Sequence, residues 1–338
     1  MKKKLLAVLM AATMVMSLAA CGGSKEEAPA AAGSEATESA ATEDGKVYNV
    51  GICQLVQHVA LDAATQGFKD AIVAELGEDA VTFDEQNAQG EPATCATIVN
   101  GFVSADVDLI MANATPALQA AQAGTNEIPI LGTSVTEYGV ALSIENFDGL
   151  VGTNISGTSD LAPLDEQAAM LNELFPDAKT VGLIYCSAEA NSQYQVDTVK
   201  AELEKMGYAC ELYPFSDTND LSSVATKACD ASDVIYVPTD NAVASNAEIL
   251  NSISLDSETP VIAGEEGICA GCGVATLSIS YYDLGTATGK MAVKILTGES
   301  KVEEMPIEYA PEFTKKYNPT NCEKFGIEIP EDYVAIEQ

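Results

Sequence analysis

The chain has 338 residues, 51 acidic and 16 basic, for a formal charge of −35, and 47% of it is hydrophobic. So acidic a surface repels nucleic acid and anionic lipid, and because every basic residue is lysine, no guanidinium can clamp a carboxylate or phosphate in bidentate fashion. His58 is the single histidine, which excludes metal sites built on several imidazoles, and there is no tryptophan from which to build an aromatic box; no metal and no cofactor are expected.

In chain order, Lys2, Lys3 and Lys4 precede an apolar run from Leu5 to Met16 and the small-residue box Leu18-Ala19-Ala20-Cys21-Gly22. This order predicts a signal peptide over 1–20, too short for a stable membrane span, and a lipoprotein cleavage site. Cys21 would then be acylated, with palmitate among its chains, as the first mature residue. The alternative is an ordinary signal peptide that happens to end near a cysteine. Residues 21–46 hold no large apolar side chain to bury and read as a disordered tether. The expected location is the extracytoplasmic face of the cell membrane, with the N-terminal lipid as the sole membrane contact.

Roughly 290 residues remain, a length suited to two lobes. Strands are predicted at 47–53, 81–83, 108–112 and 128–132, then at 180–186, 210–215, 233–237, 260–263 and 274–280. Between them, Leu61, Ala64, Phe68, Ile72 and Leu76 recur at helical spacing, as do Val196, Val199, Leu203 and Met206. Further helices are predicted at 161–175, ending before Pro176, and at 282–297. Alternating strands and helices predict parallel sheets covered on both faces.

The motif order recurs once. Val50-Gly51-Ile52 is matched by Val181-Gly182-Leu183, the strand running to Thr115 by the strand running to Thr239-Asp240, and Pro129-Ile130-Leu131-Gly132 by Pro260-Val261-Ile262-Ala263-Gly264. The expected fold class is therefore α/β, with two Rossmann-like parallel-sheet lobes joined by a hinge. Lobe 1 is expected over 47–153 plus 281–310, lobe 2 over 154–280 plus 311–338, and the hinge in the small polar segment 152–157. The tail from 301 reads as a surface wrap. Ligands of open parallel sheets bind beyond the carboxyl ends of the strands. The loops there, 54–58, 113–115, 133–137, 185–191, 239–241 and 264–268, carry hydroxyls, amides and carboxylates, which suits a small zwitterion.

Of the nine cysteines, Cys53, Cys95, Cys186, Cys210 and Cys229 read as small buried hydrophobes, and Cys322 has no evident role. Cys269 and Cys272 form a lone CxxC. Without a second such pair, a local disulfide or two free thiols is a better reading than zinc.

The stretches 52–58, with Ala60-Leu61-Asp62 and Gly67-Phe68, then Ala112-Asn113-Ala114-Thr115-Pro116-Ala117, 152–160, Glu189-Ala190-Asn191-Ser192, Pro238-Thr239-Asp240-Asn241 and 285–289 resemble the solute-binding lipoproteins of bacterial ABC importers, in the family that includes tryptophan- and tyrosine-type amino-acid binders. The resemblance covers nearly all of 47–330. It implies a type I periplasmic-binding-protein fold, a small solute of the amino-acid class, the aromatic ones included, closed between the lobes, and delivery to a permease with its own ATPase subunit; a monomer is expected. On the matching positions it places ligand near His58, Thr115, Ser134, Asp160, Ser187, Asn191 and Asp240. Asp240 is the candidate for the ligand ammonium, and helix N-termini with Thr115 or Ser134 are candidates for its carboxylate. Two positions depart from the family pattern: Val59 follows the histidine where proline is usual, and Glu137-Tyr138 replaces an Asp-Pro pair.

Bland roles compete at several of these positions. His58, Thr115 and Asp240 are equally suited to helix starts, Asp62 suits a first helical turn, and Asn191-Ser192 suits a cap. Two other functions remain as alternatives. A ligand-sensing lipoprotein docking on a membrane receptor would share fold and tether. A hydrolase would have to use His58, yet no Gly-x-Ser-x-Gly elbow is present, so no catalytic residue is expected.

Overall fold

The computed structural model describes residues 45–310 and 312–337; the expected signal segment, Cys21 and nearly all of the tether lie outside them. The described residues belong to one unit, built on two mostly parallel sheets. The first half supplies β1 (Tyr48–Gln54), β2 (Val81–Asn87), β3 (Leu109–Asn113), β4 (Ile130–Val135) and β5 (Ile155–Ser159). Its helices are α1 (Val59–Leu76), α2 (Pro92–Ser104), α3 (Thr115–Gly124) and α4 (Tyr138–Leu142). The second half supplies β6 (Thr180–Cys186), β7 (Ala209–Phe215), β8 (Val234–Val237), β9 (Val261–Ala263) and β10 (Ala275–Ser278). Its helices are α5 (Leu164–Leu174), α6 (Ala190–Met206), α7 (Leu221–Ala231), α8 (Asn241–Ala244), α9 (Ala247–Asp256) and α10 (Glu266–Gly271).

Within the two sheets the strands run β2-β1-β3-β4-β5 and β7-β6-β8-β9-β10. This is the same doubly wound order twice, and it explains the recurrence of motifs. Both faces of each sheet are covered. In the first sheet Val50, Ile52, Leu109 and Met111 face Phe68 and Ile72 of α1, while Cys53, Ile110 and Ala112 face Val99 and Phe102 of α2 and Leu118 of α3. Strands buried on both sides are continuously apolar, which is why they were visible in the sequence.

Two segments differ from expectation. The hinge reading of 152–157 rested on small polar residues, yet Ile155–Ser159 is β5, paired parallel with β4. Its polar side chains are satisfied internally: Ser156 Oγ donates to Met305 O at 2.9 Å, and Thr158 Oγ1 lies 2.8 Å from Thr288 Oγ1. The chain therefore leaves the first sheet after Ser159, not at 153. The tail is also more than a wrap. After α11 (Tyr281–Leu296) come β11 (Glu308–Tyr309), which pairs with β5, then β12 (Thr314–Tyr317), antiparallel to β10, then α12 (Pro319–Phe325) and β13 (Val334–Ala335) beside β12.

Helix α11 returns to the first sheet and lies along α1. A Cβ on Gly67 would collide with the Tyr282 carbonyl, and one on Gly285 with the Ala64 carbonyl; these glycines set how closely the two helices approach. Cys269 and Cys272 are buried free thiols, and the Cys322 thiol donates to Val274 O at 3.3 Å. Among the described residues, no helix is long and apolar enough to cross a membrane.

Candidate functional site

The switch points between β1 and β3 and between β6 and β8 bring the strand-end loops of both sheets to a common cleft. A small, tightly closed cavity of about 10 Å³ lies there, far below the range of about 300–1,000 Å³ typical of drug-sized pockets. His58, Leu61, Ser134 and Thr136 line it from the first half, and Asn191, Thr239 and Asn241 from the second. Asp160 and Tyr281 come from two segments where the chain passes between the sheets.

Four buried polar atoms around this cavity have no partner: His58 Nδ1, Ser134 Oγ, Asp160 Oδ1 and Asn191 Oδ1. Each would cost about 1–3 kcal/mol if left unpaired, so their convergence marks a place built to meet a polar solute. Asp160 is buried by the fold; its Oδ2 accepts from the Tyr281 hydroxyl at 3.0 Å and its amide donates to Val135 O at 3.2 Å. Burial pushes the Asp160 carboxyl above the ordinary range, opposed by bonds from Thr136 and Tyr281. Ser134 reaches the cavity because β4 breaks register with β5 between Gly132 and Val135, which turns Ser134 to φ 53°. A non-glycine residue in that region is strained, and strain of this kind concentrates at functional sites.

His58 precedes α1 in an extended conformation, and its side chain makes no cap. Its Nε2 lies 3.2 Å from Asn241 Oδ1, across the cleft. Burial lowers the imidazole pKa, partly countered by Asn241 and Asp62, so the ring is neutral at pH 7. Asn191 spends its Nδ2 donors on Thr239 O at 3.0 Å and Glu189 Oε2 at 3.3 Å.

Of the residues expected at the ligand, His58, Ser134, Asp160 and Asn191 line the cavity, whereas Thr115, Ser187 and Asp240 do not. Thr115 is buried in the first turn of α3. Ser187 Oγ donates to Phe215 O at 3.1 Å. Asp240 is committed to backbone: Oδ1 accepts from Val243 N at 2.9 Å, capping α8, and Oδ2 accepts from Cys186 N at 2.6 Å. The spare carboxylate oxygen at the cleft belongs to Asp160 instead. Sequence reasoning did not single out Thr136, Thr239 or Asn241, although all three sat in the strand-end loops it had identified; Tyr281, which it considered with Tyr185, Tyr194 and Tyr282 as a ring to stack on an aromatic solute or simply to pack the lobes, does line the cavity.

Several helix starts near the cleft are filled by the protein's own carboxylates. Glu137 accepts from Gly139 N at 3.1 Å at α4, and Glu265 accepts from Gly267 N at 2.6 Å at α10. Burial pushes Glu265 up to about 7. No lysine lines the cavity, so its field favours a positive group. A wider recess of about 360 Å³ beside α11 and β11, lined by Asp283, Glu308, Tyr309 and Glu312, contains none of the unpartnered atoms.

A family model described as "ABC transporter substrate binding protein" matches residues 49–337. A curated relative, a tyrosine-binding protein of Clostridioides difficile (strain R20291), is 35% identical over 311 residues, covering 90% of this chain and 87% of that one. Among solved structures, an ABC domain in complex with L-Trp from Streptococcus pneumoniae is 31% identical with a TM-score of 0.81, covering 85% of this chain and 97% of that one. The ligand-free, open structure of a substrate binding protein with adhesive properties from Clostridium difficile is 38% identical, covering 86% and 100%, with a TM-score of 0.66. Backbone similarity is thus higher to the ligand complex, despite its lower identity. The His58–Asn241 contact across the cleft fits a closed arrangement.

Proposed function

The chain belongs to the ABC transporter substrate-binding protein family, and from that premise we propose that it closes on an aromatic amino acid and delivers it to a permease driven by a separate ATPase subunit. The observation that carries this reading is the cluster of unpartnered atoms around one small cavity. An ammonium has three N–H donors and no acceptor. Asp160 Oδ1, Asn191 Oδ1 and His58 Nδ1 supply three acceptors, with Asp160 supplying the charge, and Ser134 Oγ adds a hydroxyl. The solute's carboxylate falls to the N-terminus of α1, an 18-residue helix that has no side-chain cap. Leu61 and the Tyr281 ring offer apolar wall. The aromatic side chain is favoured because the relatives named above are described with tyrosine and with L-Trp.

Attachment to the outer face of the membrane through acylated Cys21 is part of the same proposal; its support is the order of basic, apolar and small residues before that cysteine. Replacing Cys21 by serine should release the protein from membranes into the soluble fraction.

The test of the solute is a thermal-shift screen against all amino acids, nucleosides and simple sugars, because a ligand that binds the folded state alone raises the melting temperature by mass action. Tyr, Trp or Phe should give the largest shifts. A shift with a sugar or nucleoside alone would overturn the amino-acid reading.

A further inference from the structure

Glu189 is buried behind the cavity wall and does not line the cavity, yet it organises two residues that do. Its Oε2 accepts from Asn241 Nδ2 at 2.6 Å, from Asn241 N at 3.2 Å and from Asn191 Nδ2 at 3.3 Å, while Oε1 accepts from Ala242 N at 3.0 Å. A carboxyl oxygen facing two amide groups selects their NH₂ ends, so both Oδ1 atoms point away from it. Asn191 Oδ1 is then left unpartnered beside the cavity, and Asn241 Oδ1 meets His58 Nε2 at 3.2 Å. An amide oxygen only accepts, so His58 Nε2 must carry the proton. In a neutral imidazole the other nitrogen is then a bare acceptor, and that atom is the unpartnered Nδ1.

We infer that Glu189 is a positioning residue: through Asn241 it fixes His58 as the Nε2–H tautomer, through Asn191 it presents a second acceptor, and so it makes the cleft selective for a solute group rich in N–H donors. The inference rests on the ammonium-binding reading above but concerns a residue that touches no solute. It also links the halves of the protein, because the relay from Glu189 to His58 is complete only when Asn241 reaches across the cleft. A solute lacking the ammonium, such as the matching deaminated acid, should then be rejected.

His58 is the single histidine, so ¹⁵N-histidine labelling of the full chain gives one ring, and a two-bond ¹H–¹⁵N spectrum reads its tautomer directly. With saturating L-tyrosine, wild type should show a protonated Nε2 and a bare Nδ1. Glu189→Gln introduces an amide donor where only donors converge. It should produce a mixed or inverted tautomer and weaken L-tyrosine binding at least about tenfold. Adding Asn241→Asp to that variant supplies an acceptor that no rotation can remove and should restore the Nε2–H form. If Glu189→Gln fails to fold, Asn241→Leu removes only the link and should abolish the tautomer preference. A wild-type Nδ1–H ring, or a tautomer and affinity unchanged in Glu189→Gln, would overturn the inference. L-tyrosine that fails to bind wild type would instead overturn the solute reading, and the same tautomer comparison, made with the solute that the thermal-shift screen identifies, would still decide the role of Glu189.

Discussion

The Tyr281 hydroxyl donates to Asp160 Oδ2 at 3.0 Å. Asp160 directly follows β5, the strand from which the chain leaves the first sheet, and Tyr281 opens the helix by which it returns. The proposed ammonium anchor is therefore bonded across two of the segments that must flex if the lobes open.

Asp160→Asn should remove most of the affinity for an amino acid, about 3–5 kcal/mol, because it leaves a buried ammonium without its counter-charge. The free protein should be no less stable, since burial already opposes the charged form of this carboxyl. Tyr281→Phe should cost binding only about 1 kcal/mol, through a less well-oriented carboxylate. Calorimetric titration of the three proteins checks the ranking; full affinity in Asp160→Asn would remove that residue from the site.

Amino-acid binding should release protons. Burial raises the Asp160 pKa in the free protein, and a neighbouring ammonium would lower it, so affinity should fall as the pH drops through the raised value. Titration near that pH in two buffers of different ionisation enthalpy measures the release. Identical heats in both buffers would contradict it.

The free protein should be more stable at pH 5–6 than at pH 8–9. Burial raises Glu265 from 4.5 to about 7. A carboxyl raised on folding contributes stability that is complete below its unfolded value near 4.5 and is lost as pH rises through the folded value. For Glu265 the loss is roughly 3 kcal/mol at about 1.4 kcal/mol per pKa unit. Melting temperatures across this window check the direction, and Glu265→Gln should flatten the slope relative to wild type, which separates this effect from general repulsion among the acidic residues.

Gly285→Ala should destabilise the protein by about 1–3 kcal/mol or more, since the added methyl meets the Ala64 backbone and forces α11 from α1. Gly101→Ala, in α2 with open space around it, should be neutral or stabilising by up to about 1 kcal/mol. Urea denaturation of both should give opposite signs.

The sequence by itself determined the doubly wound sheets and their repetition, because strands buried on both faces must be apolar throughout, and α1 and α6 must show their helical spacing whatever they pack against. It also narrowed the site to the strand-end loops. The tertiary structure decided which polar groups in those loops are free to meet a solute. Asp160 and Asp240 look alike in sequence, each beside small polar residues. Asp240 is consumed by Val243 N and by Cys186 N, 54 residues away, while Asp160 keeps one oxygen unpartnered. Ser134 reaches the cavity through a break in register between β4 and β5, and Asn241 matters through its contact with His58, 183 positions earlier. Caps and ligand sites draw on the same hydroxyls, amides and carboxylates. Which of them are spare depends on the donors that distant segments bring near, and local pattern carries no record of that.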